Sequence, residues 1–102
     1  MKNLSQIDWR TKIEETADAV ILDVRTSMEQ GEGIIPNAEK LNLLDGAEFI
    51  NGINKLDQSK SYFVYCRSGG RSEQACLIMD SSGFTKTYNL LGGMIRWEGD
   101  VV

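Results

Sequence analysis

The residues of this chain best suited to chemistry crowd into one stretch, Ser61-Tyr62-Phe63-Val64-Tyr65-Cys66-Arg67-Ser68-Gly69-Gly70-Arg71-Ser72-Glu73. An apolar, β-branched and aromatic run stops at a cysteine. A short glycine-containing turn follows, and then a run with helical periodicity. This order predicts a strand, a tight loop and a helix, with Cys66 at the strand end where open α/β sheets bind their ligands. Gly69 and Gly70 can adopt positive φ, so the loop can curl and aim successive backbone N–H groups at one point. The following helix adds the positive end of its dipole, and Arg67 and Arg71 add formal charge. All of these favour an anion at the loop centre, and the thiolate of Cys66 is the nearest one. Such surroundings lower a thiol pKa from about 8.5 to about 3.5–7.5. The chain has no histidine, so no Cys–His pair can form and activation must come from the loop itself.

The elements that hold this stretch must come from a chain of 102 residues, enough for one domain with one core, residues 1–102. Eleven basic and fifteen acidic residues leave a net charge of −4, which argues against nucleic acid or an anionic membrane as partner. Two cysteines ten positions apart, without histidine, make neither a disulfide framework nor a four-ligand zinc site. No metal and no cofactor is expected. Free thiols suit a reducing compartment, and residues 1–9 lack the apolar run of a signal peptide, so the expected location is cytoplasmic.

In chain order, Trp9, Ile13 and Ala17 predict a short amphipathic helix over 8–17, with Asp8 as its cap. Ala19 to Val24 reads as a strand buried on both faces, ending in a carboxylate and a guanidinium, Asp23 and Arg25. Thr26 to Gly33 reads as loop with one helical turn, and Pro36-Asn37 as a bend. Lys40 to Leu43 predicts a short edge strand. Phe49, Ile50, Ile53 and Leu56 predict a helix over Asp45 to Leu56, against which Gly52 counts. After the cysteine loop, a helix starting near Ser72 would turn Ala75, Ile78 and Met79 to the core and end at a Gly83 cap beside Phe84. Lys86 to Leu90 reads as a last strand, and Gly92 to Trp97 as a final helical segment. Strands alternating with helices imply a parallel sheet covered on both faces.

Three landmarks then resemble, in order, those of a single-domain rhodanese of the thiosulfate sulfurtransferase superfamily. Asp23-Val24-Arg25, Glu29 and Gly33-Ile34-Ile35-Pro36-Asn37-Ala38 are similar to the N-terminal signature. Cys66 to Ser72 is similar to the active-site loop, and Asn89 to Met94 with Trp97 to the C-terminal signature. The resemblance implies a rhodanese-like α/β fold, a central and mostly parallel five-stranded sheet with helices on both faces. It also implies that Cys66 carries sulfur as a persulfide, cradled by the N–H groups from Arg67 to Ser72, with Asp23 and Arg25 as supporting residues. Departures are few: Ile34 stands where the family has histidine, Asn37 where it has glycine, and Gln30 where it has an aromatic residue.

The spacing from Cys66 to Arg71 is C-x4-R. Related phosphatases and arsenate reductases have C-x5-R, a wider ring around a tetrahedral oxyanion. The shorter loop suits one extra sulfur atom and crowds a phosphate. The expected reaction is a double displacement, taking sulfur from a small anionic donor such as thiosulfate or a polysulfide. The acceptor is cyanide, a small thiol or a partner protein's cysteine. Arg67, Ser68, Gly69, Gly70, Arg71 and Ser72 form the expected substrate site, with Arg71 equally suited to bracing the loop. Cys76 reads as core, Met94 as floor or rim of the site, and Trp97 as floor or rim or, the better reading, simple core packing. A non-catalytic recognition module and a redox-sensing thiol stand as alternatives.

Overall fold

The computed structural model describes residues 1–102. The chain forms β1 (Lys2–Leu4), α1 (Gln6–Glu15), β2 (Ala19–Asp23), α2 (Ser27–Gln30) and β3 (Glu39–Lys40), then α3 (Gly46–Ile53), β4 (Ser61–Tyr65), α4 (Gly70–Ser81) and β5 (Thr87–Leu90). A single 3-10 turn, Met94–Arg96, closes the order. The five strands make one sheet in the order β1-β5-β4-β2-β3, with every pair parallel. Parallel strands put all their C-terminal ends at one edge. The chain leaves β2 toward β3 on one side and returns to β4 on the other, so the crevice where the winding reverses opens above β2 and β4. Asp23 and Cys66 stand at that edge.

Alternation along β4 divides the core. Tyr62, Val64 and Cys66 face one layer with Leu22, Val24, Phe49 and Ile53, together with Ala75, Cys76 and Met79 of α4. Phe63 and Tyr65 face the opposite layer with Trp9, Ile35 and Leu90. All five residues of β4 are buried, as a central parallel strand requires. Trp9 is wholly buried, edge-on to Phe63 at 5.9 Å and to Trp97 at 5.8 Å. Each large side chain buried in this way contributes about 1.5–3 kcal/mol.

From α1 onward the elements follow the sequence reading, and their boundaries shift for local reasons. The helix expected over 8–17 spans Gln6–Glu15, because Ser5 rather than Asp8 accepts the capping N–H, that of Asp8, at 3.2 Å. The edge strand expected over Lys40–Leu43 is Glu39–Lys40 in the ladder, yet Leu41 and Leu43 still donate N–H bonds to Asp23 and Val24. The third helix is capped by Asp45 and stops at Ile53, short of Leu56. Gly52 belongs in it because a Cβ there would run into the Leu41 side chain. After α4, Gly83 takes φ +107°. Its N–H reaches Asp80 O at 3.2 Å, and the Phe84 N–H reaches Met79 O at 3.1 Å, the paired bonds of a Schellman cap.

One strand has no counterpart in the sequence reading. β1 is three residues with a single half-buried position, Leu4, so it carries no hydrophobic signal. It exists because β5 offers it a ladder, with Asn3 opposite Asn89 and Leu4 opposite Leu90.

Candidate active site

Cys66 continues the β4 parity, which turns its side chain toward α4 and into the mouth of the loop. Gly69 takes φ +111° and ends the loop one residue before α4 begins at Gly70, two residues earlier than expected. This puts Ser72 in the first helical turn with its N–H pointing back at the sulfur. The Gly69 N–H donates to Cys66 Sγ at 3.1 Å, and the N–H groups of Ser68 and Ser72 also face it. The Ser72 hydroxyl lies 3.3 Å from the sulfur. Burial of Cys66 opposes ionisation. These hydrogen bonds, led by the Ser72 hydroxyl, outweigh it and bring the thiol below its ordinary range.

The contrast with Cys76 is instructive. It lies in the same layer of core without a ring of donors, and burial pushes its thiol up to about 12. Cys76 is an inert core residue.

The two loop arginines differ in kind. Both terminal nitrogens of Arg71 bind Glu29, each at 2.7 Å. Glu29 is itself fixed by the capping box of α2, where it accepts from the Thr26 N–H at 3.1 Å. Arg71 is therefore a brace between α4 and α2. Arg67 is exposed, makes no ion pair and lines a cavity of about 380 Å³ with Arg25, Glu29, Glu32, Gly33, Met94 and Ile95. Ser68 and Gly70 are exposed at the loop surface.

The bidentate bond to Arg71 holds the Glu29 carboxyl well below its usual range, at about 2 instead of 4.5. The ion pair therefore stabilises the fold fully above pH 4.5 and is lost as pH falls through about 2. Glu29→Gln is expected to cost about 1–2 kcal/mol at pH 7, a figure reduced for solvent screening. Urea unfolding of both proteins at several pH values checks this. The gap should close between pH 4.5 and 2.

Asp23 and Arg25 bond to each other, to Tyr65 and to the Gly33 carbonyl rather than to the cysteine loop. Asp23 shares the parity of Tyr65, on the sheet face opposite Cys66. It is fully buried and binds Arg25 Nη2 at 2.8 Å and the Tyr65 hydroxyl at 2.6 Å. Arg25 in turn donates to Gly33 O at 2.7 Å, and the Ile35 N–H donates to the Tyr65 hydroxyl at 3.1 Å. Both residues thus shape the wall of the cavity by holding the 33–35 segment, whose Ile34 also exchanges two backbone bonds with Val102. Asn37, where the family has glycine, adopts φ +68°, and asparagine tolerates this.

The far side of the loop is sewn down by the segment after β5. The Met94 N–H donates to Cys66 O and the Ile95 N–H to Arg67 O, both at 2.9 Å. Trp97 packs against Trp9 as part of the core layer and does not line the cavity, while Met94 does.

A five-stranded parallel sheet with a donor-lined cysteine loop at its switch point is the frame of a sulfur-handling domain. The chain belongs to the Rhodanese-like domain family, which matches residues 7–100. It is 39% identical over 100 residues to YtwF of Bacillus subtilis, provisionally designated a sulfurtransferase, covering 98% of this chain and 93% of that protein. A sulfurtransferase of Allochromatium vinosum is 33% identical over 87 residues, covering 84% of this chain and 78% of the relative. The crystal structure of a rhodanese-like domain protein from Staphylococcus aureus superposes with a TM-score of 0.82 at 29% identity, covering 98% of this chain and 93% of that one. These relatives support sulfur transfer in general. No helix is long and apolar enough to cross a membrane.

Three residues around the site went unassigned in the sequence. Glu29 was part of a signature without a role, and Tyr65 read only as a strand residue. Asn89 is buried at 1% exposure, and its amide nitrogen binds Gly69 O at 3.1 Å. A polar residue in the middle of a buried strand run was the available signal, since such a group must find partners.

Proposed function

We propose that residues 1–102 act as a single rhodanese-like unit in which Cys66 carries sulfane sulfur as a persulfide between a small anionic donor and a thiol. The Cys66 thiolate attacks the outer sulfur of thiosulfate, forming an S–S bond as the bond to sulfite breaks. Sulfite leaves with the electron pair, and the outer sulfur on Cys66 carries the negative charge. A thiolate, or cyanide in an assay, then attacks that outer sulfur and takes it, returning Cys66 as a thiolate.

The observation that carries the reading is the ring of donors around Sγ: three backbone N–H groups and the Ser72 hydroxyl. Preorganised dipoles of this kind stabilise sulfur anions without reorganising during the reaction. Ser68, Gly69 and Ser72 supply them. Gly70 stands at an open part of the rim, where nothing lies within 4 Å of the place its Cβ would take. Arg67, free of any carboxylate, is the charge available to attract the donor and the departing sulfite. Arg71, neutralised by Glu29, acts as the brace. The cavity that Arg67 lines with Arg25, Glu32 and Gly33 places this free guanidinium at a concave surface beside the loop.

The test is intact mass after incubation with thiosulfate and desalting. A gain of one sulfur atom, removed by cyanide with formation of thiocyanate, is the expected result. No gain with thiosulfate or with polysulfide would overturn the reading. Aryl phosphate and arsenate would then be tried.

A further inference from the structure

A chain of hydrogen bonds runs from the protein surface to the sulfur, and its direction can be deduced link by link. Asn3 Nδ2 donates to Glu73 Oε2 at 3.2 Å. A carboxylate accepts only, so this sets which way the Asn3 amide faces and presents its Oδ1 inward. Asn89 Nδ2 donates to that Oδ1 at 2.9 Å and to Gly69 O at 3.1 Å. Both partners are acceptors, so the Asn89 amide is fixed as well, and its Oδ1 must face Ser72. The Ser72 hydroxyl makes a short bond to Asn89 Oδ1, and Cys66 Sγ and Gly69 O lie 3.3 and 3.2 Å away. Ser72 has one proton for three acceptors. Ser72 is fully buried, so no bulk solvent joins the competition.

We propose that Asn89 is a positioning residue for Cys66, holding the Ser72 hydroxyl so that its one proton alternates between Asn89 Oδ1 and the Cys66 sulfur. While Sγ bears hydrogen, the thiol donates to Ser72 Oγ and the hydroxyl donates to Asn89. When the thiol loses its proton to solvent, the hydroxyl turns and donates to the anionic sulfur. When Sγ attacks and forms a new bond, it ceases to be an anion, and Asn89 takes the hydroxyl back. Asn89 thus makes the thiolate harder to form, and it eases the loss of the Ser72 bond at the moment of attack.

The charged groups around the sulfur are few. Arg67 and Arg71 lie on the loop and the first turn of α4, with Glu29 of α2 paired to Arg71. The Asp23–Arg25 pair lies at the C-terminal end of β2, and Glu73 at the outer end of the chain of bonds. β5 presents no charged side chain here, and the substitutions below leave all of these in place.

The experiment is the rate of alkylation of Cys66 by iodoacetamide against pH, followed on the Cys66 peptide so that Cys76 does not interfere. Asn89→Leu removes the competing acceptor, so the midpoint should fall by about one pH unit. The rate at the high-pH plateau should fall about threefold, because a less basic thiolate is a weaker nucleophile. Ser72→Ala should raise the midpoint. Adding Asn89→Leu to Ser72→Ala should leave the midpoint where Ser72→Ala put it, because the effect passes through the hydroxyl. An unchanged or raised midpoint in Asn89→Leu overturns the proposal, as does an equal shift in both backgrounds. If Asn89→Leu does not fold, the β-branched Asn89→Val, suited to a buried strand, replaces it. It too removes the Oδ1 acceptor, so the midpoint should again fall, and no fall overturns the proposal. The proposal rests on Cys66 being a reactive thiol. Alkylation reads the thiolate directly, so a protein that takes no sulfur from thiosulfate would still answer it.

Discussion

Cys66→Ser is expected to abolish sulfur uptake from thiosulfate and leave the fold close to its parental stability. Oxygen is a weaker nucleophile at neutral pH and cannot hold the transferred sulfur in an S–S bond. Removing a covalent nucleophile lowers turnover by about 10³-fold or more. Stability should change by no more than about 1 kcal/mol, because a serine hydroxyl at this place finds the same partners, the Gly69 N–H and the Ser72 hydroxyl. Thiocyanate production and urea unfolding, measured on one preparation, separate the two effects. Uptake that survives the substitution would remove Cys66 from its assigned place.

Gly93→Ala is expected to be the most damaging single-methyl change near the site. Gly93 adopts φ +54° with ψ −156°, a region open essentially only to glycine. An added Cβ would stand 2.6 Å from the Arg67 carbonyl carbon and oxygen and 2.7 Å from Cys66 O. These are backbone atoms of the cysteine loop, so no side chain can swing aside. Either the loop or the 94–95 segment must move, and the two bonds from Met94 and Ile95 to Cys66 and Arg67 are lost. Strain and lost bonds together are expected to cost about 3 kcal/mol or more in urea unfolding, with sulfur uptake falling in parallel. Gly92→Ala is the comparison. There φ is +80°, and the nearest atoms to the Cβ are Arg96 side-chain carbons at 3.2–3.4 Å rather than backbone, so a loss of about 1–2 kcal/mol is expected. Equal losses for the two variants would show that close approach to the loop is not what makes Gly93 special.

The comparison also shows why the adjacent glycines could be recognised in the sequence and their separate duties could not. Gly-Gly before a tryptophan marks a tight turn. Which backbone that turn presses against depends on β5 lying beside β4, two elements joined only through a helix. The same holds for the arginines. Arg67 and Arg71 look alike in sequence, four residues apart on either side of one glycine pair. Arg71 is neutralised and Arg67 is free because α2, forty-two positions before Arg71, presents Glu29 to one and not the other.

What the amino-acid sequence determined by itself was local and periodic. The apolar run of β4 ending at Cys66, the glycine turn and the helix after it are set by side-chain periodicity and backbone freedom. Together they place a thiol among N–H donors whatever surrounds them. The alternation of strands and helices likewise required a parallel sheet. Tertiary structure decided the rest, because those facts join residues with no short-range signal of each other. β1 is a strand only because β5 pairs with it. Asp23 is a wall support because strand parity turns it to the opposite face from Cys66. Ser72 meets Asn89 only where α4 packs across the end of β5. A hydrogen bond acts over about 3 Å of space and any length of chain. A reading of adjacent residues therefore finds the sulfur and leaves to the fold the choice of what holds its proton.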